Sequence, residues 1–478
     1  MNAADYVQQD AVGLADLIAR REVSAVEVLE AALEQSARVN PAINAITQDL
    51  SARARVELAG GAPTGPLAGV PFLLKDLGPS LAGTPTIGGS KLWRERIAET
   101  DSPLAAAYKR AGLVIFGKTN TPEMGLEPVT EPRLFGPTRN PWDLSRTPGG
   151  SSGGAAAAVA AGIVPAAHAS DGGGSIRTPA SACGLFGLKP TRGRVSFAPG
   201  NEGWGGFSIH HAVTRSVRDS AVLLDAVCAP QPGDPYWVDP PATPFAAEVG
   251  KAPGRLRMGF STEALAYRGD LDPACRDAVI AAARLCESLG HDVEEIAIPG
   301  DIAAVTAAAS IVVAANVAAD LDAEAAFRGR AIEADEVEPS TFALYQRGQT
   351  ISASAYVQAI VTAHAFGRVM AAFQERYDVV MLSTLGSPAI PVGALTGVPP
   401  DPRGYVSRLF AFMPNTQAFN VSGQPAMTVP LAWSPEGLPI GVQFVGRMAE
   451  EGLLLRLAGQ LEGAAPWAGK RPGTVMAL

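Results

Sequence analysis

Apolar positions along the 478-residue chain follow two periods, one helical and one of strand length, and they alternate from end to end. Near the N-terminus Val26, Leu29 and Leu33 recur with helical spacing. Ser24 and Glu27 ahead of them have the separation of a capping box, and Pro41 is expected to stop the run. "LAGVPFLLKDL" then forms a short apolar run, bounded by Gly69-Val70-Pro71 and closing on Lys75-Asp76. It predicts a buried strand with a lysine at its end. "AGLVIFGKTN" is a second run of strand length, preceded by the helical "SPLAAAYKRAG". From about residue 215, "SVRDSAVLLDAV" and "DPACRDAVIAAARLCESLG" read as helices, and residues 300–372 as alanine-rich helix. "RLRMGFS", "HDVEEIAI", "YDVVMLST" and "PAMTVPL…LPIGVQFVG" read as strands. With no long linker and no repeat, this mixture predicts one large α/β domain, residues 1–478, around a central sheet.

Composition narrows the function classes. Hydrophobic residues make up 47% and charged residues 18%, enough for a large core and unlike a disordered chain. The net charge is −9, and no basic tract exceeds pieces such as "RLR", which disfavours nucleic acid and anionic membranes as partners. Ile302 to Ala319 is free of charge, but it is mostly alanine, contains Thr306, Ser310 and Asn316, and has acidic flanks. It is expected to be a buried helix, not a membrane span. Four cysteines without a C-x-x-C pair make no disulfide framework, and "MNAADYVQQD" lacks the regions of a secretory signal. A reducing cytoplasm is the expected compartment.

From Asn140 to Pro199 glycine and alanine dominate and charges nearly vanish, so backbone packs closely there. Two motif matches in the chain fail on context. "GLVIFGKT", residues 112–119, fits the P-loop pattern, but its middle positions are those of a strand and cannot form a phosphate nest. "GGSSGG", residues 149–154, fits G-x-S-x-G around both Ser151 and Ser152, yet "NPWDLSRTP" before it reads as loop where a nucleophile elbow needs a strand. His168, His210, His211, His291 and His364 lie in no triad context, and no metal-ligand set is clustered. What remains is Ser175 behind Gly172-Gly173-Gly174, with Lys75 upstream. Consecutive glycine amides form a natural oxyanion nest, although the serine could equally cap a helix or sit in a plain loop. A lysine can replace histidine as base if burial lowers its pKa; a solvated surface lysine is the alternative.

The stretch "GGSSGGAAAAVAAGIVPAAHASDGGGSIRTPASACGLFGLKPTRGRVS", residues 149–196, resembles the signature of the amidase signature family. The likeness extends to "GVPFLLKD", "GKTNTPEMG", "TRNPWDL" and "NVSGQPAMTVPL…EGLPIGVQFVGR", and so covers nearly the whole chain. It implies a central mixed sheet with helices on both sides, and a Ser–Ser–Lys triad without a cofactor. Ser175 matches the nucleophile, Ser151 the bridging serine on a cis peptide bond, and Lys75 the general base. The amides from Gly172 through Ser175 match the oxyanion hole, while Ser152, Asp171 and Arg177 are expected to orient the loop. Pocket-lining residues are expected in the helical region 300–420 and around Gly125.

Two departures from the family pattern, Ala169 and Ser383-Thr384, bear on packing or the pocket rim. Within the family, "GKTNTPEMG", "TEP", "TRNPW", "KPTRGR" and "LEGAAPW" are similar to the 6-aminohexanoate cyclic dimer hydrolases and the broad amidases near them. The resemblance thus implies hydrolysis of a small linear or cyclic carboxamide, with a second copy of the chain as the one macromolecular partner considered. The alternative it leaves is the glutaminase subunit of a tRNA-dependent amidotransferase.

Overall fold

In the computed structural model, which describes residues 1–61, 63–200, 202–395 and 402–473, eleven strands form one sheet. They are β1 (Ile46–Asp49), β2 (Pro71–Lys75), β3 (Val114–Thr119), β4 (Ala166–Asp171), β5 (Phe186–Lys189) and β6 (Ile209–Thr214) in the first half. The second half adds β7 (Arg257–Phe260), β8 (Asp292–Glu295), β9 (Val379–Ser383), β10 (Ala426–Trp433) and β11 (Pro439–Gly446). The spatial order is β1-β3-β2-β4-β6-β5-β10-β11-β9-β7-β8. β2 pairs parallel with β3 and β4, β7 parallel with β8 and β9, and the remaining pairs are antiparallel. The sheet is mixed.

Both faces of the sheet are covered. Along β9, Val379 and Met381 join one apolar cluster, while Val380 and Leu382 join another on the opposite face. β10 and β11 divide in the same way, Met427 and Phe444 to the first, Ala426 and Val445 to the second. Alternation of side chains along a strand produces this split, and burial on two faces explains the near-continuous apolar runs. The first cluster takes residues from helices Ala25–Ile43, Gly153–Ala160 and Pro273–Ser288, and the second from Ile302–Arg328 and Ala353–Phe373.

Two expectations change, and three strands appear where none was expected. The helix behind the Ser24–Glu27 capping box runs through Pro41 to Ile43 and ends at Asn44, which adopts a left-handed conformation with φ 50°. A proline in the last turn removes a single backbone bond, so the left-handed cap sets the boundary instead. The helix Ile302–Arg328 is half-buried rather than enclosed, although it is long and apolar enough to cross a membrane. Val305 and Val312 are buried in a cluster with Ala353–Phe373 and Val317 in a second cluster with Pro339–Gln349, while Ala303, Ala307 and Ala319 remain exposed, since alanine tolerates either setting. Finally, β4, β5 and β6 run through the middle of the sheet although their sequences carry no strand signal.

Candidate active site

All five residues of β2 are buried, and the strand ends on Lys75, whose side chain has no exposed surface. Its Nζ lies 2.7 Å from Ser151 Oγ and 2.9 Å from Ser170 Oγ, and its backbone N–H donates to His168 Nδ1 at 3.2 Å. Among the described residues no carboxylate comes within ion-pair distance of this amine. Burial disfavours the ammonium and pushes the Lys75 pKa down to about 7, with the negative charge of Asp171 opposing it. Asp76 points the other way, as strand alternation requires: its Oδ1 accepts from the Ile87 N–H and stands 3.9 Å from Lys118 Nζ. Lys75 is therefore a buried amine rather than a surface lysine.

Ser151 follows a cis Gly150–Ser151 peptide bond at the head of the helix Gly153–Ala160. The surrounding glycines are required by close backbone approach: a Cβ on Gly150 would fall 2.7 Å from Val129 N, and one on Gly154 2.5 Å from Asn120 N. No strand leads into this turn, so the elbow reading lapses, and "VIFGKT" is itself β3, so the P-loop reading lapses too. Ser152 laces the two serine loops together. Its hydroxyl donates to Ser170 O at 3.1 Å, and its N–H donates to Ser175 O at 3.3 Å.

The run Asp171–Ser175 leaves the end of β4 under the control of a buried ion pair. The Asp171 carboxylate accepts from the N–H groups of Gly174 at 2.7 Å and Ile176 at 3.1 Å, and from the Arg177 guanidinium at 2.9 Å. Burial alone would raise this carboxyl, but Arg177 and then Asn420 hold it well below the usual carboxylate range. The orienting role expected of Asp171 and Arg177 thus has a geometric basis.

The Gly174 amide, expected among the oxyanion donors, donates to Asp171 Oδ1 at 2.7 Å in this structure. Among the described residues, no hydrogen bond within the protein uses the N–H groups of Gly172, Gly173 or Ser175. Gly174 also supplies conformation, with φ 140°, and a Cβ there would meet Thr416 Oγ1 at 2.4 Å. At Gly173 the nearest atom would be 3.9 Å away. Gly174→Ala is expected to cost about 1–3 kcal/mol, read as a lower urea midpoint, while Gly173→Ala leaves the midpoint nearly unchanged. Equal midpoints for the two variants would contradict this reading of the loop.

A cavity of about 510 Å³ opens over these groups, and Ser151, Ser170, Gly172 and Ser175 line it. Gly125 stands in its wall with φ 70°, where a Cβ would lie 3.1 Å from Ser151 Oγ. The helix Ile302–Arg328 contributes Asn316, Asp320, Ala323 and Glu324, as expected of the helical region, while residues 396–401 of that region lie outside the described residues. Two further walls carry no motif: Leu77 to Arg96 with Trp93, and Phe197 to His210 with Trp204. Met124 and Trp204, both on the cavity, hold left-handed backbone at φ 51°, a signal visible only in three dimensions. Ser170 is a further site residue that sequence reasoning missed, although it stands inside the glycine-rich stretch. Ala169 and Thr384 line no part of the cavity: Ala169 is buried in β4, and Thr384 Oγ1 lies 3.0 Å from Thr428 Oγ1. Those departures concern packing.

Comparison with known proteins agrees with this architecture. A family model described as Amidase matches residues 27–455. The 6-aminohexanoate-cyclic-dimer hydrolase of Paenarthrobacter ureafaciens is 39% identical over 97% of this chain and 96% of its own. A solved structure of 6-aminohexanoate cyclic dimer hydrolase complexed with substrate superposes with a TM-score of 0.92 at 37% identity, covering 98% of this chain and 99% of that one. A glutamyl-tRNA(Gln) amidotransferase subunit from Thermotoga maritima is more distant, with a TM-score of 0.73 at 27% identity over 98% and 95% of the two chains. Fold and relatives together define an amide hydrolase. The chain belongs to the amidase signature family.

Proposed function

We propose that the chain hydrolyses a small linear or cyclic carboxamide to a carboxylate and ammonia or an amine, through an acyl-enzyme on Ser175. The observation that carries this reading is the buried Lys75 amine, 2.7 Å from Ser151 Oγ and without a carboxylate partner among the described residues. In the neutral state its lone pair accepts the Ser151 hydroxyl proton while Ser151 Oγ takes the proton of Ser175. Ser175 Oγ then bonds to the amide carbon, and the carbonyl electron pair moves onto oxygen. The N–H groups of Gly172, Gly173 and Ser175 are the donors available to that oxyanion. The relayed proton returns to the amide nitrogen as the C–N bond breaks. Water then repeats the relay on the ester, releasing the carboxylate and restoring Ser175.

A cavity of about 510 Å³ suits a small molecule, and the relative bound to substrate is by its name an enzyme of a cyclic amide dimer. The amidotransferase reading has less support, given the TM-score of 0.73 against 0.92 and a net charge of −9 without a basic tract for tRNA. Release of ammonia or amine should be assayed across linear, aryl and cyclic amides with the purified chain alone. Turnover without any partner is expected. Turnover that begins only on adding a partner protein and tRNA would overturn the proposal.

A further inference from the structure

Two buried histidines beside Lys75 take no part in the steps above. The Lys75 N–H donates to His168 Nδ1 at 3.2 Å, so this nitrogen presents a lone pair. His168 has no exposed surface, and a neutral ring then carries its proton on Nε2. His168 Nε2 lies 3.2 Å from His210 Nδ1, so it is the donor there and His210 Nδ1 the acceptor. A neutral His210 in turn carries its proton on Nε2. Protonating either ring would set two donors against each other at one of these contacts. Burial, reinforced by the Lys75 charge, also lowers the His210 pKa to about 3, and the His168 pKa falls well below its ordinary value for the same leading reason.

His210 lines the cavity with Ser208 and Gly172, and the Phe197 ring packs against it at a centroid distance of 4.3 Å, tilted by 36°. Its Nε2 has no partner within the protein among the described residues, and unlike His211 Nδ1 it is not sealed from the cavity. Resting on the proposed function, we infer that His210 is a specificity-determining residue whose Nε2–H, fixed in place by the chain from the Lys75 backbone through His168, binds an acceptor oxygen of the substrate other than the scissile carbonyl. Because the donor is neutral, it suits a carbonyl and gains nothing from a carboxylate's charge by ion pairing. The preferred substrates are amides that carry a second carbonyl group.

Two measurements decide this. Histidine nitrogen chemical shifts at neutral pH, with assignment by loss of the signal in His210→Phe and His168→Asn, should place the protons of both residues on Nε2. A proton on Nδ1 of His210, or a charged ring, overturns the inference. These shifts are read on the resting protein, so they stand even if no amide is turned over and the proposed function fails. The second measurement compares α,ω-diamides of four to eight carbons with monoamides of equal length. At least one diamide should show a KM about tenfold lower than its monoamide, the size of one well-placed hydrogen bond. His210→Phe should abolish that preference by bringing the KM of the diamide to that of its monoamide, and His210→Gln, which keeps an N–H donor, should restore most of it. No preference in the unaltered enzyme, or one that survives His210→Phe, would show that His210 only packs.

Discussion

Ser175→Ala is expected to lower kcat/KM on any amide substrate by a factor on the order of 10³–10⁶, without loss of fold. The size follows from removing the atom that bonds to the carbonyl carbon, after which only binding and oxyanion donors remain to assist water. Neutrality toward folding follows from the surroundings. Ser175 is only partly buried at the cavity, and the loop is held by its neighbours Asp171, Arg177 and Ser152 through backbone and side-chain bonds that the substitution leaves intact. Steady-state assays paired with urea unfolding separate the two effects. Ser151→Ala should also be slow but retain more activity, since a water in the vacated space can relay a proton and cannot replace the nucleophile.

Lys75→Met should reduce kcat/KM by about 10²–10⁴, the usual worth of a positioned general base, while filling the buried volume. The pH profile carries the distinguishing information. A lysine in water would be almost wholly protonated at neutral pH, but burial lowers Lys75 to about 7. Below that value the amine holds its proton and cannot accept another from Ser151. The kcat/KM of the unaltered enzyme should therefore rise with pH through an apparent pKa near 7 and level above it, as the Lys75 value of about 7 requires. In Lys75→Met that limb should be absent. Substitution of His211 or His291 should not abolish turnover, because they are bound to Ser220 and Gln460, away from the cavity. A limb that survives Lys75→Met and disappears with a histidine would assign the base elsewhere.

The features legible in the sequence are those where local chemistry and tertiary demand coincide. "VPFLLKD" reads as a buried strand ending in lysine because both sheet faces are covered there and a continuous apolar run has no other stable use. "DGGGS" reads as a bare turn before a serine because only glycine accepts φ 140° with Thr416 pressed against it. β4 is invisible in the sequence because "AAHASD" is made of small residues whose strand conformation comes from pairing with β2 and β6. Ser170 and His210 escape sequence reasoning for the same reason: they sit on β4 and β6, and their relation to Lys75 exists only across the sheet. The bond from the Gly174 N–H to Asp171 is not legible in the sequence because it depends on a side chain aimed back into the loop, which spacing alone does not reveal.

Whether Ser175 forms the covalent intermediate while Lys75 removes its proton through Ser151 can be decided by labelling with a serine-directed fluorophosphonate, followed by peptide mass spectrometry. One adduct is expected, located on Ser175, formed faster as pH rises through about 7 with the neutral fraction of Lys75 and suppressed in Lys75→Met. An adduct on Ser151, Ser152 or Ser170, or labelling of Ser175 that proceeds undiminished in Lys75→Met, would contradict this mechanism.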